Sequence, residues 1–265
     1  NMDIIVCIKQ VPDTTDVKID PKTGRLIREG IPVIINPDDK AAIEAALQLK
    51  EKGKGGKVIV ITMGPPQAEE ALREALAMGC DEAILLCDAK FAGSDTWATA
   101  NALAAGIKKI GKYDLILCGR QAIDGDTAQV GPQLAEALNL PQITYVQKVE
   151  INGGKITAER ELEDGYEVIE TEMPALLTIV KEMNEARYPT LQGIDKAYEK
   201  EVKTWKAADI SADENKIGLK ASPTMVKKVF SPSAKGQGLM LQGSIKEMAH
   251  DLVERLKERE IIQKF

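Results

Sequence analysis

The feature that most constrains the fold of this chain is a series of short, unbroken apolar runs with helical patterns between them. Five such segments of four or five residues occur before residue 150, at positions 4–8, 58–62, 83–87, 115–118 and 143–146, and the second and fifth each include one threonine. An unbroken apolar run of this length is typical of a strand buried on both faces. Strands that alternate with helices form parallel sheets with right-handed crossovers. The sequence therefore predicts an α/β fold, a doubly wound, Rossmann-like parallel sheet.

Two stretches depart from this alternation and predict smaller β structures. Polar and apolar residues alternate over 147–172 around Asn152–Gly154, which is a hairpin signal. Because an apolar strand returns at 175–180, we expect a small β excursion on one α/β domain that covers residues 1–185. An earlier hairpin is predicted over residues 16–35, and its turn is expected at residues 21–24.

The last part of the chain predicts an extended arm. Residues 196–238 are polar and irregular and carry too few apolar side chains for a core of their own. A helical pattern follows at about 244–260, and its apolar residues share one face: Ile245, Met248, Leu252, Val253 and Leu256. Such a stripe has to pack against something. We therefore expect residues 201–265 to form a C-terminal arm laid on another subunit.

Composition excludes several classes of function. The net charge of −6 argues against nucleic acid as a partner, and no apolar run approaches the roughly 18 residues that span a membrane. Charged residues interrupt the amino terminus early, so no signal peptide is expected. The four cysteines form no C-x-x-C pair and are predicted to be reduced thiols of a cytoplasmic protein. A single histidine, His250, excludes a His-rich metal site and argues against a Ser-His-Asp triad.

The stretch Gly119–Gln133 joins the fourth apolar run to a helical pattern. In an open parallel sheet such a junction is where ligands bind. Amides at a helix start lack internal partners and lie at the positive end of the helix dipole. We expect Gly119, Gly125 and Gly131 to let the backbone approach an anion, with a nucleotide phosphate as the natural occupant. The alternative is an ordinary strand-to-helix loop with turn glycines.

Polar side chains near this junction have structural and functional interpretations. Thr127 and Gln129 can donate hydrogen bonds to phosphate oxygens. Asp126 is expected to cap the following helix and Asp124 to form a turn, rather than to act in catalysis. Lys9, directly after the first apolar run, can reach a nucleotide or form a surface ion pair.

The segment Asn36–Asp39 predicts a helix start. Asn36 can cap, Pro37 suits the first helical position, and Asp38 and Asp39 favour the positive end of the dipole. Capping alone explains this segment without any ligand. The first apolar run is followed by Val11-Pro-Asp-Thr-Thr15 and lacks the G-x-G-x-x-G signature, so it does not hold a dinucleotide in the usual Rossmann manner.

Several segments together resemble one family. Besides Gly119–Gln133, they are Val6–Asp13, Asn36–Asp39, Glu159–Tyr166 with Met173–Thr178, and Asn184–Leu191. Over residues 2 to about 200, in the family's order, the chain resembles the β subunit of electron transfer flavoproteins. The resemblance implies an adenine-nucleotide-binding α/β domain, and a partner recognition loop at residues 186–200 in which Tyr188 and the anchor leucine Leu191 contact a dehydrogenase.

The resemblance also implies the nucleotide site. It places the following residues at the cofactor: Cys7, Lys9, Asn36, Asp38, Asp39, Met63, Gly64, Asp124, Gly125, Asp126, Thr127, Ala128, Gln129, Val130, Gly131 and Gln133. Housekeeping members bind AMP there, and electron-bifurcating members bind a second FAD. The segments Lys9–Thr14, Asn36–Asp39 and Asp124–Gly131 are more similar to the bifurcating members of anaerobes than to the housekeeping members. The small Gly125 and Ala128 would leave room for the longer ligand.

Family members work as heterodimers with an α subunit that holds an FAD. In bifurcating members NADH is the electron donor. One electron goes through the α-subunit FAD to an acyl-CoA dehydrogenase-type flavoenzyme and the other goes to ferredoxin or flavodoxin. NADH oxidation is then expected only in the complex. Two alternatives from other classes are an ATP-using enzyme of the same broad fold and a stress-type nucleotide-binding module without a redox role.

Overall fold

A computed structural model describes residues 2–13, 32–53, 56–227, 236 and 238–262. The chain divides into two compact units, Asn1–Lys227 and Lys228–Phe265. In chain order the elements are β1 (Ile4–Cys7), β2 (Gln10–Pro12), β3 (Val33–Ile35), α1 (Pro37–Lys52), β4 (Val58–Met63), α2 (Glu69–Met78), β5 (Glu82–Leu86), α3 (Thr96–Ile110), β6 (Leu115–Gly119), α4 (Val130–Leu138), β7 (Gln142–Asn152), β8 (Lys155–Glu161), β9 (Tyr166–Glu172), β10 (Ala175–Ile179), α5 (Leu191–Glu199), β11 (Val202–Trp205), α6 (Gly218–Ala221) and α7 (Ile245–Glu258).

The first unit is built on a nine-stranded sheet with the order β11-β5-β4-β1-β6-β10-β7-β8-β9. Strands β11 to β7 in this order are parallel, and β8 and β9 continue the sheet antiparallel. After β1 the chain moves to β4 on one side, whereas β6 lies on the other side. The topological switch point, where connections leave in opposite directions, is therefore between β1 and β6.

Helices cover both faces of the sheet, because alternate strand residues point to opposite sides. Ile4 and Val6 pack with α1 and α2 in one apolar cluster. Ile5 and Cys7 pack with α3 and α4 in the other cluster. This arrangement confirms the predicted doubly wound fold. All five apolar runs form strands, and the predicted β excursion is the antiparallel extension β7–β9.

The sheet extends past the domain boundary expected at residue 185. Strand β11 pairs in parallel with β5 at the edge of the sheet. Ala207, Ile210 and Ile217 then join the apolar cluster around α3 and α4. The segment expected to begin the arm at residue 201 thus contributes to the first unit. Its signal in the sequence is weak because an edge strand has one strand neighbour and tolerates Lys203 and Thr204.

Strand β3 pairs antiparallel with β2, which lies before the hairpin expected over residues 16–35. Its expected turn at residues 21–24 lies outside the described residues. In the second unit α7 begins with a capping box, in which Ser244 and Glu247 hydrogen-bond to each other's backbone amides. None of its residues is buried within that unit. Among the described residues, no helix combines the length and hydrophobicity needed to cross a membrane.

Candidate functional site

The carboxylate of Asp39 joins the two strands at the switch point. Its Oδ2 accepts a hydrogen bond from the amide of Lys9, just after β1, at 2.8 Å. Its Oδ1 accepts from the amide of Gly119, the last residue of β6, at 3.0 Å. A Cβ atom at residue 119 would lie 2.2 Å from Asp39 Oδ1. A side chain at residue 119 would collide with the start of α1, so the close packing of this helix requires glycine there. This packing replaces the expectation that Gly119 makes room for an anion.

Asn36 holds the next part of the loop instead of capping α1. The residue is at the N-cap position but makes no side-chain capping bond. Its Nδ2 donates to the carbonyl of Gln121 at 2.7 Å, and its Oδ1 accepts from the amide of Ile123 at 3.0 Å. The predicted cap was wrong because these loop groups compete for the same side chain, and backbone groups in a buried setting need partners.

Asp38 is the third side chain from this helix start. Its Oδ2 accepts from the amide of Gln121 at 3.3 Å and lies 3.4 Å from Nε of Arg120. The guanidinium of Arg120 also lies over the ring of Tyr145, 5.8 Å from its centroid. Burial raises the pKa of Asp38 although Arg120 acts in the opposite direction. Burial also raises the pKa of Asp39, to about 7, against the effect of its amide donors.

The loop between β6 and α4 has an unusual backbone. A turn closes at its centre, where the amides of Gly125 and Asp126 both donate to the carbonyl of Ala122. Asp126 and Ala128 have positive φ angles of 54° and 51°, which are uncommon for residues other than glycine. The Asp126 side chain accepts from Gln121 Nε2. Because α4 begins only at Val130, the prediction that Asp126 caps this helix was wrong.

Five consecutive amides at the end of this loop are open. No acceptor among the described residues pairs with the amides of Thr127–Gly131. Two of them, in Val130 and Gly131, belong to the first turn of α4, where the helix dipole favours negative charge. Ala128, with positive φ, precedes Gln129 with φ −106°, and backbone of alternating handedness forms concave anion sites. The arrangement suits a phosphate group.

Charges beside these amides are mutually compensated. Lys9 Nζ lies 2.6 Å and 2.8 Å from the two carboxylate oxygens of Asp124, across the switch point. Both side chains are partly exposed. This pair neutralises an aspartate that would otherwise repel a phosphate. Thr96 Oγ1 donates to Gln129 Oε1 at 2.9 Å, so that the amide nitrogen of this side chain keeps its donor function.

The other glycines of the loop differ in their surroundings. A Cβ atom at Gly131 would lie 2.5 Å from Cγ2 of Thr178, so close packing of α4 on β10 explains this residue. Nothing lies within 4 Å of a Cβ at Gly125. Packing thus accounts for glycine at 119 and 131, and the approach of an anion at Gly125 stays a prediction.

The remaining expected site residues lie at the carboxyl ends of the same parallel strands. Met63 is the last residue of β4, next to β1, and Gly64 follows it; the amide of Gly64 donates to the carbonyl of Leu86. Cys7 ends β1 and is paired in register with Cys118 of β6. Its hydrogen bond to Cys118 and the burial of that residue raise the pKa of Cys118 well above the usual range, so Cys118 remains a thiol.

Gln133 is the fourth residue of α4. Its Oε1 is buried without a hydrogen-bond partner among the described residues. The structure thus brings the candidate residues from β1, α1, β4 and residues 124–133 together at the carboxyl ends of the parallel strands.

Sequence reasoning missed Tyr145. The residue lies in β7 with a φ of 57°, and its amide donates to Thr178 Oγ1 at 3.0 Å. Its ring contacts Arg120 directly after β6. A positive φ within an apolar run has no signature in a single sequence, so no available signal could have identified it.

Comparisons with known proteins agree with this geometry. A family model for the electron transfer flavoprotein domain matches residues 23–210. The electron transfer flavoprotein subunit beta of Thermoanaerobacterium thermosaccharolyticum is 60% identical over 262 residues, which are 98% of this chain and 100% of the relative. The chain belongs to the electron transfer flavoprotein β-subunit family.

Two further family members have names that mention larger complexes. The caffeyl-CoA reductase-Etf complex subunit CarD of Acetobacterium woodii is 58% identical over 98% of this chain and 100% of its own length. The acryloyl-CoA reductase electron transfer subunit gamma of Anaerotignum propionicum is 47% identical over 98% of this chain and 100% of its own length.

The segment expected to be the flavoprotein's recognition loop is partly helical. Thr190 caps α5 by accepting from the amide of Gly193 at 2.9 Å. A Cβ atom at Gly193 would lie 2.3 Å from the carbonyl oxygen of Ala77, so α5 lies directly on α2. Tyr188 and Leu191 are 89% and 87% exposed. A rigid support therefore presents two apolar side chains to solvent.

Arg187 fixes the segment that precedes α5. Its Nε donates to Glu44 Oε2 at 2.8 Å, and its Nη1 donates to Glu51 Oε1 at 2.6 Å. Burial acts to raise the pKa of Glu44, but hydrogen bonds from Arg187 and Gln48 outweigh it, and the pKa is lowered. These ion pairs thus hold the segment that carries Tyr188 and Leu191 against α1.

Proposed function

We propose that this flavoprotein chain is the β subunit of a heterodimer and holds an adenine nucleotide on the loop Asp124–Gly131. The observation that carries the proposal is the row of open amides over Thr127–Gly131 at the start of α4. They would bind the phosphates shared by AMP and FAD. Thr127 and Gln129 would add side-chain donors, and the Lys9–Asp124 pair would keep the local charge balanced.

We further infer that the nucleotide is FAD and that the complex bifurcates electrons. The open space around Gly125 supports room for a ligand longer than AMP. A bound FAD would accept the electron pair of NADH. One electron would reach the α-subunit FAD and an acyl-CoA dehydrogenase-type flavoenzyme, and the other ferredoxin or flavodoxin. CarD, a subunit of a caffeyl-CoA reductase-Etf complex, supports this class of partner.

The dehydrogenase would dock on Tyr188 and Leu191. Their exposure and their rigid support by α2 and α1 favour this role, since a preorganised anchor loses little freedom on binding. A relative from Anaerotignum propionicum is named acryloyl-CoA reductase electron transfer subunit gamma, which supports a partner of this class.

A count of bound nucleotides tests the proposal. The chain is purified together with its α subunit, the complex is denatured, and released nucleotides are separated and quantified. Two FAD per heterodimer, no AMP, and direct bleaching of the flavin by NADH are expected. One FAD with one AMP would leave a conventional electron carrier and contradict bifurcation. Absence of any nucleotide beyond the α-subunit FAD would contradict the β site itself.

A further inference from the structure

Helix α5 carries an exposed apolar stripe along one flank. Leu191, Ile194 and Tyr198 stand at positions i, i+3 and i+7 of this helix, a spacing that places side chains on one side. All three side chains are exposed. The buried side of the helix is a different one, because Gly193 lies against α2 and Ala197 is buried. The stripe is therefore available to a partner while α5 stays packed on α2.

A cleft of about 620 Å³ lies between α2 and α5 and includes part of this stripe. Ile194 and Tyr198 of α5 line it together with residues of α2, among them Glu70. Pro189, which directly follows Tyr188, also lines the cleft. The cleft thus begins next to the two side chains proposed above to anchor the dehydrogenase and continues along α5.

Arg73 of α2 holds the far end of the cleft in place. Its Nη1 donates to the carbonyls of Ala197 and Lys200, at 2.7 Å and 2.5 Å, and its Nε and Nη2 donate to Glu69. The guanidinium also lies 5.8 Å from the centroid of the Tyr198 ring. An immobilised group therefore supports this exposed ring. Tyrosine is frequent among the residues that dominate binding energy, and a preorganised anchor loses little freedom on binding.

The cleft also carries a negative charge that its own residues do not compensate. Three glutamates line it, Glu69, Glu70 and Glu74. Glu69 is paired with Arg73 at 2.8 Å, and Glu74 is paired with Lys40 at 2.6 Å. Glu70 has no ion-pair partner in the part of the chain that the structure describes. A lysine or arginine side chain suits such a place, since its apolar stem can cover the walls and its head can meet the carboxylate.

We propose that the docking surface for the acyl-CoA dehydrogenase-type flavoenzyme extends from Tyr188 and Leu191 along α5 into this cleft. There a lysine or arginine of the flavoenzyme lays its stem on Ile194 and Tyr198 and its charge beside Glu70. The inference rests on the proposed function and adds three contact residues to it. The uncompensated carboxylate makes the charge of the partner a criterion of selection, because a partner with an acidic side chain at this place is repelled.

Substitutions of Tyr198 test the apolar part of this surface. Tyr198→Ala should raise the KM of the flavoenzyme for the heterodimer by about fivefold, because truncating an anchor removes contact area. The kcat value and the flavin content should not change, since the ring is exposed and lies away from the proposed nucleotide site. Tyr198→Phe keeps the ring and is the matched control, with a KM equal to that of the wild type. Ile194→Ala should act in the same direction as Tyr198→Ala.

Substitution of Glu70 tests the charge. Glu70→Gln should raise the KM by about threefold at low salt, as expected for the loss of one exposed ion pair. The KM of this variant should also rise less steeply with KCl concentration than that of the wild type, because salt screens an attraction that the variant lacks. Glu199→Gln is the matched control. It removes the same charge from an exposed residue of α5 that does not line the cleft, and its KM should stay within about twofold of the wild-type value.

The experiment uses the full-length chain assembled with its α subunit and a purified short-chain acyl-CoA dehydrogenase as the probe. Steady-state electron transfer is measured at low and high KCl for the wild type, the variants above and Leu191→Ala. A raised KM in Tyr198→Ala and Glu70→Gln, with wild-type behaviour in Tyr198→Phe and Glu199→Gln, is expected. A raised KM in Leu191→Ala alone, or an equal salt dependence in Glu70→Gln and the wild type, would overturn the inference. If Leu191→Ala is also unchanged, or the wild type does not react with the probe, the proposed docking itself fails.

Discussion

At the scale of single residues, Asp39 combines two opposed effects. Burial raises its pKa to about 7, while the amides of Lys9 and Gly119 favour its ionised form. The fold therefore places a carboxylate that is costly to ionise at the switch point, beside the ends of the paired strands β1 and β6. Near neutral pH, the ionisation of buried Asp39 that accompanies these two hydrogen bonds therefore lowers the stability of the fold.

This balance predicts a pH dependence of stability. Because the folded protein binds the Asp39 proton more tightly than the unfolded chain, the stabilisation is complete below about pH 4 and is lost as the pH rises through about 7. Thermal melts across this range should show a declining melting temperature in the wild type and a weaker decline in Asp39→Asn. The lowered pKa of Glu44 acts with the opposite sign and mainly below this window. Identical slopes for both proteins would refute the assignment.

Gly131 gives a second prediction at this scale. Gly131→Ala would place a Cβ 2.5 Å from Cγ2 of Thr178, whose hydroxyl already accepts from the amide of Tyr145. We expect a loss of about 1–3 kcal/mol in the free energy of unfolding, measured by urea denaturation. Gly165→Ala, with nothing within 4 Å of the new Cβ, is the control and should unfold at the wild-type midpoint. A stable Gly131→Ala protein would show that α4 is not held closely against β10.

At the scale of elements, the helices and strands differ in how far the sequence predicts them. Buried parallel strands leave unbroken apolar runs, so β1, β4, β5, β6 and β7 were evident. The edge strand β11 carries Lys203 and Thr204 and was missed. The start of α4 was misplaced because Asp126 has a positive φ of 54°, and a left-handed aspartate cannot be distinguished from a helix cap by residue type.

The site residues likewise differ in how far their roles could be predicted from the sequence. Which residues gather at the switch point follows from the strand order, and the junction of the fourth apolar run with a helical pattern indicated the loop. The role of Asn36 could not be predicted, because capping and bonding to a distant loop use the same side-chain atoms. Gly119 and Gly131 were assigned to anion approach because a single sequence does not show which atoms a missing Cβ would meet.

Helix α5 carries a prediction about the partner. Leu191→Ala should slow electron transfer to the dehydrogenase at limiting partner concentration, because truncating one anchor in a pocket costs about 2 kcal/mol or more of affinity. Flavin content and the melting temperature should not change, since Leu191 is 87% exposed. Met225→Ala, which truncates another exposed apolar side chain, is the control. Equal kinetics for the wild type and Leu191→Ala would exclude this docking mode.

At the scale of the whole molecule, the second unit lacks a core in its described residues. The helix α7 has no buried residue, and Ile245, Leu252 and Val253 are exposed. An apolar stripe of this kind requires a partner surface. The α subunit of the heterodimer is the partner that we propose for it.

Deletion of residues 240–265 tests this assignment. We expect the truncated chain to retain the melting temperature of the first unit, and its affinity for the α subunit to fall at least tenfold in a titration followed by size-exclusion chromatography or fluorescence. A full-length variant with Glu254→Ala, on the polar face of α7, controls for changes in charge. Normal assembly of the truncated chain would contradict the role of the arm.

We propose above that the open amides over Thr127–Gly131 hold the phosphate of an adenine nucleotide. Nuclear magnetic resonance of the ¹⁵N-labelled chain titrated with AMP tests it most directly. The largest shifts in amide resonances are expected at Thr127, Ala128, Gln129, Val130 and Gly131, with adenosine, which lacks the phosphate, producing little change there. Shifts concentrated elsewhere, for example around the cleft of about 620 Å³ between α2 and α5, would contradict the account.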